Sequence, residues 1–138
     1  MNPDSFDQVV NRICAVDERY DPDAYFFLRE ALDHTVAELA RIKDGRRQHV
    51  TGKELSFGIR DYTLAEYGPL ALLVLTEWGL SETQDFGEIV YNLIEAGVMG
   101  KTASDNRKDF KGIYNFQDTF GRPFEPRHPD AFSKKNRR

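Results

Sequence analysis

The sequence predicts a mainly α-helical protein, a single domain of four to five packed helices. Three observations carry that expectation. Apolar residues recur at helical spacing in several windows of the 138-residue chain. The windows are bracketed by N-terminal capping sequences and by glycines suited to left-handed C-terminal caps. Between Pro69 and Met99 the stop and start signals follow one another directly, which puts two apolar-faced helices back to back at the centre of a core.

The first helix follows Asp4 and Ser5, either of which can cap it, and Phe6, Val9, Val10, Ile13 and Val16 form its apolar stripe. Cys14 lies at the edge of that stripe, late in the helix, and reads as a small core hydrophobe rather than an activated thiol. The second helix starts at Asp21-Pro22. Proline suits the first helical position because its missing N–H would be unpaired there anyway. Tyr25, Leu28, Leu32, Val36 and Leu39 run down one face, Phe26, Phe27 and Ile42 widen it, and Asp44-Gly45 should end it.

A short basic connector, Gly45 to Val50, leads to Thr51-Gly52-Lys53-Glu54, a capping box. The third helix runs from there to about Tyr67, with Leu55, Ile59, Tyr62 and Ala65 or Glu66 along one side, and ends at Gly68-Pro69. The fourth, Pro69 to Trp78, is apolar nearly all round, so most of its surface should be buried. Gly79 fits its cap. Ser81-Glu82-Thr83-Gln84 reads as a second capping box. Phe86, Ile89, Val90, Leu93 and Ile94 stripe the fifth helix, which Gly97 closes. Beyond it Val98-Met99 and then Phe110, Ile113, Tyr114 and Phe116 flank a polar stretch. That pattern fits either a small C-terminal β-hairpin over 98–116 or two extended segments lying across the helices. Residues 1–121 make the helical domain. Residues 122–138 form a basic tail in which Pro123, Pro126 and Pro129 favour an extended or disordered path.

Hydrophobic residues make up 40% of the chain and charged residues 30%, the balance of a soluble globular protein. The longest apolar run, Leu70 to Leu75, is far short of the roughly 20 residues a membrane span needs. The start, MNPDSFDQ, has no basic leader and no apolar signal region. With one cysteine no internal disulfide can form. The expectation is a cytoplasmic protein with no membrane partner.

Charge is uneven. The chain carries −4, and residues 122–138 carry six basic residues against Glu125 and Asp130, which leaves an acidic body of −8. Such a tail can meet phosphate or an acidic protein surface; a solvated terminus is the simpler reading.

Helix 51–67, helix 69–78, a tight turn, helix 82–96 and a hairpin over 98–116 would follow the order of a winged helix-turn-helix. The stretch LIEAGVMGKTASDNRKDF resembles the recognition-helix end and wing of many bacterial regulators. In that arrangement the wing presents Lys101, Arg107, Lys108 and Lys111, the candidate binding surface. The charges oppose DNA reading. Glu82, Asp85, Glu88 and Glu95 give the fifth helix −4 with no Lys or Arg, and the wing-like segment adds only +2. At whole-chain level, the block from HVTGKELSFGIRDYTLAEYGPLALLVL through EWGLSETQDFGEIVYNLIEAGVM to DFKGIYNF resembles the Verrucomicrobia/Planctomycetes-restricted hypothetical proteins, over most of residues 5–121. That resemblance implies no activity, cofactor or catalytic residue.

Tests for chemistry are negative. His34, His49 and His128 lack metal-ligand spacing, and no G-x-S-x-G, P-loop or GxGxxG motif occurs. Asp61 and Glu66, with Arg60, read as a solvated helix face, and Tyr62, Tyr67 and Trp78 as packing aromatics. No catalytic residue, metal or cofactor is expected. The first function expected is a non-enzymatic protein-interaction domain, acting through its aromatic C-terminal segment or basic tail. The alternative is a winged-helix-like, nucleic-acid-associated protein that binds weakly through a basic wing and tail. An enzyme ranks third, and the oligomeric state stays open.

Overall fold

The capping sequences act close to where the residues place them. The structure, a computed structural model, describes residues 5–42, 50–99 and 106–126. Within these it is helical: α1 Phe6–Val16, α2 Pro22–Ile42, α3 Gly52–Tyr67, α4 Ala71–Glu77 and α5 Thr83–Glu95. Ser5 caps α1 in a reciprocal box with Gln8, each side chain meeting the other's backbone N–H at 3.2 and 3.0 Å. Asp21 accepts from the Asp23 N–H at 2.8 Å at the head of α2. Thr51 and Glu54 form the expected box at the head of α3.

At the head of α5 the box is displaced by one residue from the sequence expectation. Asp85, not Gln84, is the reciprocating side chain: its carboxylate accepts from the backbone N–H groups of Ser81 and Glu82, at 2.9 and 3.1 Å. Gln84 points instead to Glu88 and to the Arg107 carbonyl.

All five helices join one hydrophobic cluster, a single-domain core. Its centre is α5. Phe86, Ile89, Val90 and Leu93 are buried as their spacing requires, and so are Thr83, Gly87 and Tyr91, so the buried arc exceeds half the helix circumference. Helix α4 departs from expectation. Only Ala71 and Leu75 are buried in it, and Leu70 and Leu73 are each 57% exposed. The helix lies at the edge of the bundle, so its all-round apolar surface exceeds what its neighbours cover. In α3 the buried side is Leu55, Ser56, Ile59 and Thr63, while Ala65 and Glu66 face solvent. Thr63 tolerates burial because its hydroxyl donates to the Ile59 carbonyl at 2.6 Å.

No strand occurs among the described residues. Within the expected hairpin Arg107–Phe110 is a 3₁₀ turn; beyond it Gln117–Gly121 and Arg122–Phe124 form a π turn and a second 3₁₀ turn. Residues 100–105, which include part of the expected polar loop Thr102 to Asp109, lie outside the described residues. Phe110 ends the turn and is drawn into the core. Its ring rests on Gly87, where a Cβ would meet it at 2.7 Å, and its carbonyl accepts from the Thr83 hydroxyl at 2.6 Å. Phe116 and Phe120 follow it inward and stack edge-on at 5.2 Å. Of the aromatic C-terminal segment, Phe110, Phe116 and Phe120 are therefore core, while Phe124 is 42% exposed.

Candidate functional site

The four residues of the expected basic surface do not act alike. Arg107 sits on the 3₁₀ turn beside the polar face of α5, where Gln84, Glu88, Asn92 and Glu95 share one side by helical spacing. Its guanidinium donates to Glu88 and to Glu95, both at 3.1 Å, and lies over the Tyr91 ring at 5.2 Å. Lys108 and Lys111 are exposed. Lys101 lies outside the described residues, as do Arg46, Arg47 and the tail beyond Pro126. Arg122, the first basic residue of the expected tail, pairs with Asp118 at 2.8 Å.

The polar face of α5 is clasped from its other side by the segment joining α1 to α2. Arg19 donates to Asp17 through Nε at 2.9 Å and Nη2 at 2.7 Å, and reaches Glu88 at 3.4 Å. Asn92 donates to Asp17, and its side-chain amide also lies 3.0 Å from the Tyr25 hydroxyl. The Tyr20 hydroxyl donates to Asp85 at 2.6 Å. Glu88 thus lies between two guanidinium groups, and a chain of ion pairs runs from Asp17 to Glu95. The Arg19 guanidinium holds the Asp17 carboxyl well below the usual carboxylate range. Burial, reinforced by Asp85, pushes the Tyr20 phenol well above its ordinary value. These shifts favour a charged Asp17 and a neutral Tyr20, the states that hold the clasp, and neither group is poised to exchange a proton near neutral pH.

This arrangement bears on the winged-helix expectation through α5. A recognition helix must present side chains to a groove. Here the apolar arc of α5 is core, and its polar face is engaged by Arg19 and Arg107. Thr83 and Gln84, at the end that would read bases, bond to Phe110, to the Ile113 N–H and to the Arg107 carbonyl.

Three further features could carry chemistry or binding. Cys14 opens onto a pocket of about 420 Å³ shared with Tyr20, Pro22 and Trp78. Burial and the nearby Asp21 and Asp17 raise its thiol pKa, the opposite of nucleophile activation. A groove of about 300 Å³ between α2 and α3 is floored by Leu39, Ile42 and Phe57 and edged by Glu38, Glu54 and Asp61. Its carboxylates are engaged: Glu38 with Arg41, Asp61 with Arg60, and Glu54 with the Thr51 N–H. His34 stands at its mouth with its ring 5.2 Å from Tyr62. The third feature is the exposed side of α4, Leu70 and Leu73, on a helix whose surface was expected to be mostly buried.

Among the described residues no group of three or more His, Cys, Asp or Glu is placed to hold a metal ion, and no helix is long and apolar enough to cross a membrane. No family model, no curated protein and no solved structure matches the chain.

Proposed function

We propose that this protein is a non-enzymatic, cytoplasmic interaction domain that binds another protein. One observation carries the reading: the charged side chains around the polar face of α5 are engaged internally, while apolar side chains are left outside. Arg19, Arg107, Glu88, Asp17 and Asp85 are all bound to partners within the fold. Leu70, Leu73 and Ile42 stand well over half exposed. Exposed apolar side chains on an ordered helix are the usual anchor of a protein contact.

The alternative, a nucleic-acid-associated protein, draws its support from Lys108 and Lys111, the exposed cations of the expected wing. Affinity capture of the full chain from the cells that make it, with and without nuclease, separates the two. The interaction reading expects the same protein partner to be retained after nuclease treatment. Loss of every captured protein on nuclease treatment would overturn it in favour of the alternative.

A further inference from the structure

Helix α4 and the 3₁₀ turn before it, Gly68–Leu70, form the corner between α3 and α5. Leu70, Leu73, Val74 and Glu77 fall at positions i, i+3, i+4 and i+7, which place them on one face. Leu70 and Leu73 are each 57% exposed, Val74 is half-buried, and Pro69 beside them is exposed. This is an amphipathic stripe whose inner side, Ala71 and Leu75, reaches the core while more than half of each outer leucine faces solvent.

The charges that flank the stripe along the chain are acidic. Glu77 closes it on the same face, and Glu66 precedes the corner. Both are exposed, and among the described residues neither has an ion-pair partner. No Lys or Arg occurs between Arg60 and Lys101, a stretch that holds seven carboxylates. The α2–α3 groove differs on this point, because its carboxylates already have partners.

We infer that the Leu70–Leu73 face of α4 docks a partner segment that pairs apolar side chains with flanking Lys or Arg. This rests on the protein-interaction reading above and adds where and with what chemistry the contact forms. The leucines supply the apolar contact, and Glu66 and Glu77 select a basic flank over an acidic one, since like charges brought together across a contact are penalised.

The test uses the full chain, expressed in its own cells with a photo-crosslinking residue at position 73, and at position 42 in a parallel sample. Mass spectrometry then reads the crosslinked peptide. The expected result is an adduct at position 73 with a peptide of another protein in which apolar residues lie beside Lys or Arg. Adding Glu77→Lys and Glu66→Lys should cut its yield about fivefold, while the melting midpoint stays unchanged. Five results would overturn the inference. An adduct with residues 127–138 of the same chain would make the occupant its own tail, and one with a second copy would make the face a self-association surface. An adduct with a peptide lacking basic residues would remove the charge selection. Adducts at position 42 and none at 73 would sink this face while sparing the interaction reading; none at either site, with no captured protein, would sink both.

Discussion

Asp17 shows how one side chain can join two ends of this fold. It caps the C-terminal end of α1 through its backbone N–H, which donates to the Ile13 carbonyl at 2.8 Å, while its carboxylate collects Arg19 and Asn92. Those donors favour the ionised form, so the folded chain holds the Asp17 pKa below that of the unfolded chain, about 4. The sign follows. Above about pH 4 both states are ionised and the full stabilisation is present. As pH falls below that value the unfolded state takes up the proton first, and the stabilisation is progressively lost. Asp17→Asn cannot titrate. The stability gap between wild type and Asp17→Asn, from urea midpoints, should therefore be widest near about pH 6 and shrink by about pH 3. A gap that stays constant over that range would show that the Arg19 and Asn92 bonds do not hold the carboxylate in its charged form. Arg19 is two residues away, but the Asn92 bond was not readable from the sequence, because Asn92 lies 75 positions from Asp17 and no local pattern links them.

Small residues set how closely the helices approach. Gly58 of α3 lies against Thr35 of α2: a Cβ at Gly58 would fall on the Thr35 hydroxyl, with the Thr35 Cβ and Cγ2 at 2.8 Å. Two effects compete in Gly58→Ala. Alanine favours the helix by about 1 kcal/mol. The clash opposes it, and Thr35 cannot simply rotate away, because its buried hydroxyl donates to the Ala31 carbonyl at 2.7 Å. Leaving that hydroxyl unpaired costs about 1–3 kcal/mol, and a forced helix shift costs a similar amount. The clash should win. Gly58→Ala is expected to lose about 1–2 kcal/mol in a urea melt, and Thr35→Ala in the same chain should restore part of that loss. A Gly58→Ala variant as stable as wild type would show that α2 and α3 can separate at little cost. At this scale the sequence is legible where the signal is local. The Thr51–Glu54 box, the Pro22 start and the Gly79 cap with φ +89° all stand where the residues put them. It fails where the answer depends on what lies opposite. The apolar run of α4 could not reveal that the helix sits at an edge, and the Phe110 spacing could not reveal that Gly87 leaves room for a ring.

Over the whole molecule the decisive quantity is how much positive charge is available for an outside partner. Counting Lys101, Arg107, Lys108 and Lys111 in the sequence treats four cations as equivalent, and the fold removes that equivalence. Arg107 is engaged with Glu88 and Glu95, which lie 19 and 12 positions away, and Arg19, which approaches the same face, is engaged with Asp17 and Glu88. Non-specific duplex affinity comes largely from cations that neutralise phosphates and release counterions. Of the expected wing, Lys108 and Lys111 are exposed among the described residues, beside an α5 that carries three carboxylates and a fourth, Glu82, at its N-cap. Sequence-specific duplex binding is therefore expected to be absent at physiological salt. Any residual binding should weaken steeply as salt rises, and should fall further when Lys108 and Lys111 are both changed to Ala. Gln84→Ala should leave it unchanged, because Gln84 faces Glu88 and the Arg107 carbonyl and has no open approach to a base. Titrating a labelled duplex at two salt concentrations decides the matter. Tight binding that survives the higher salt and is abolished by Gln84→Ala would mean that α5 leaves its clasp to read DNA, and the winged-helix reading would then displace the interaction domain.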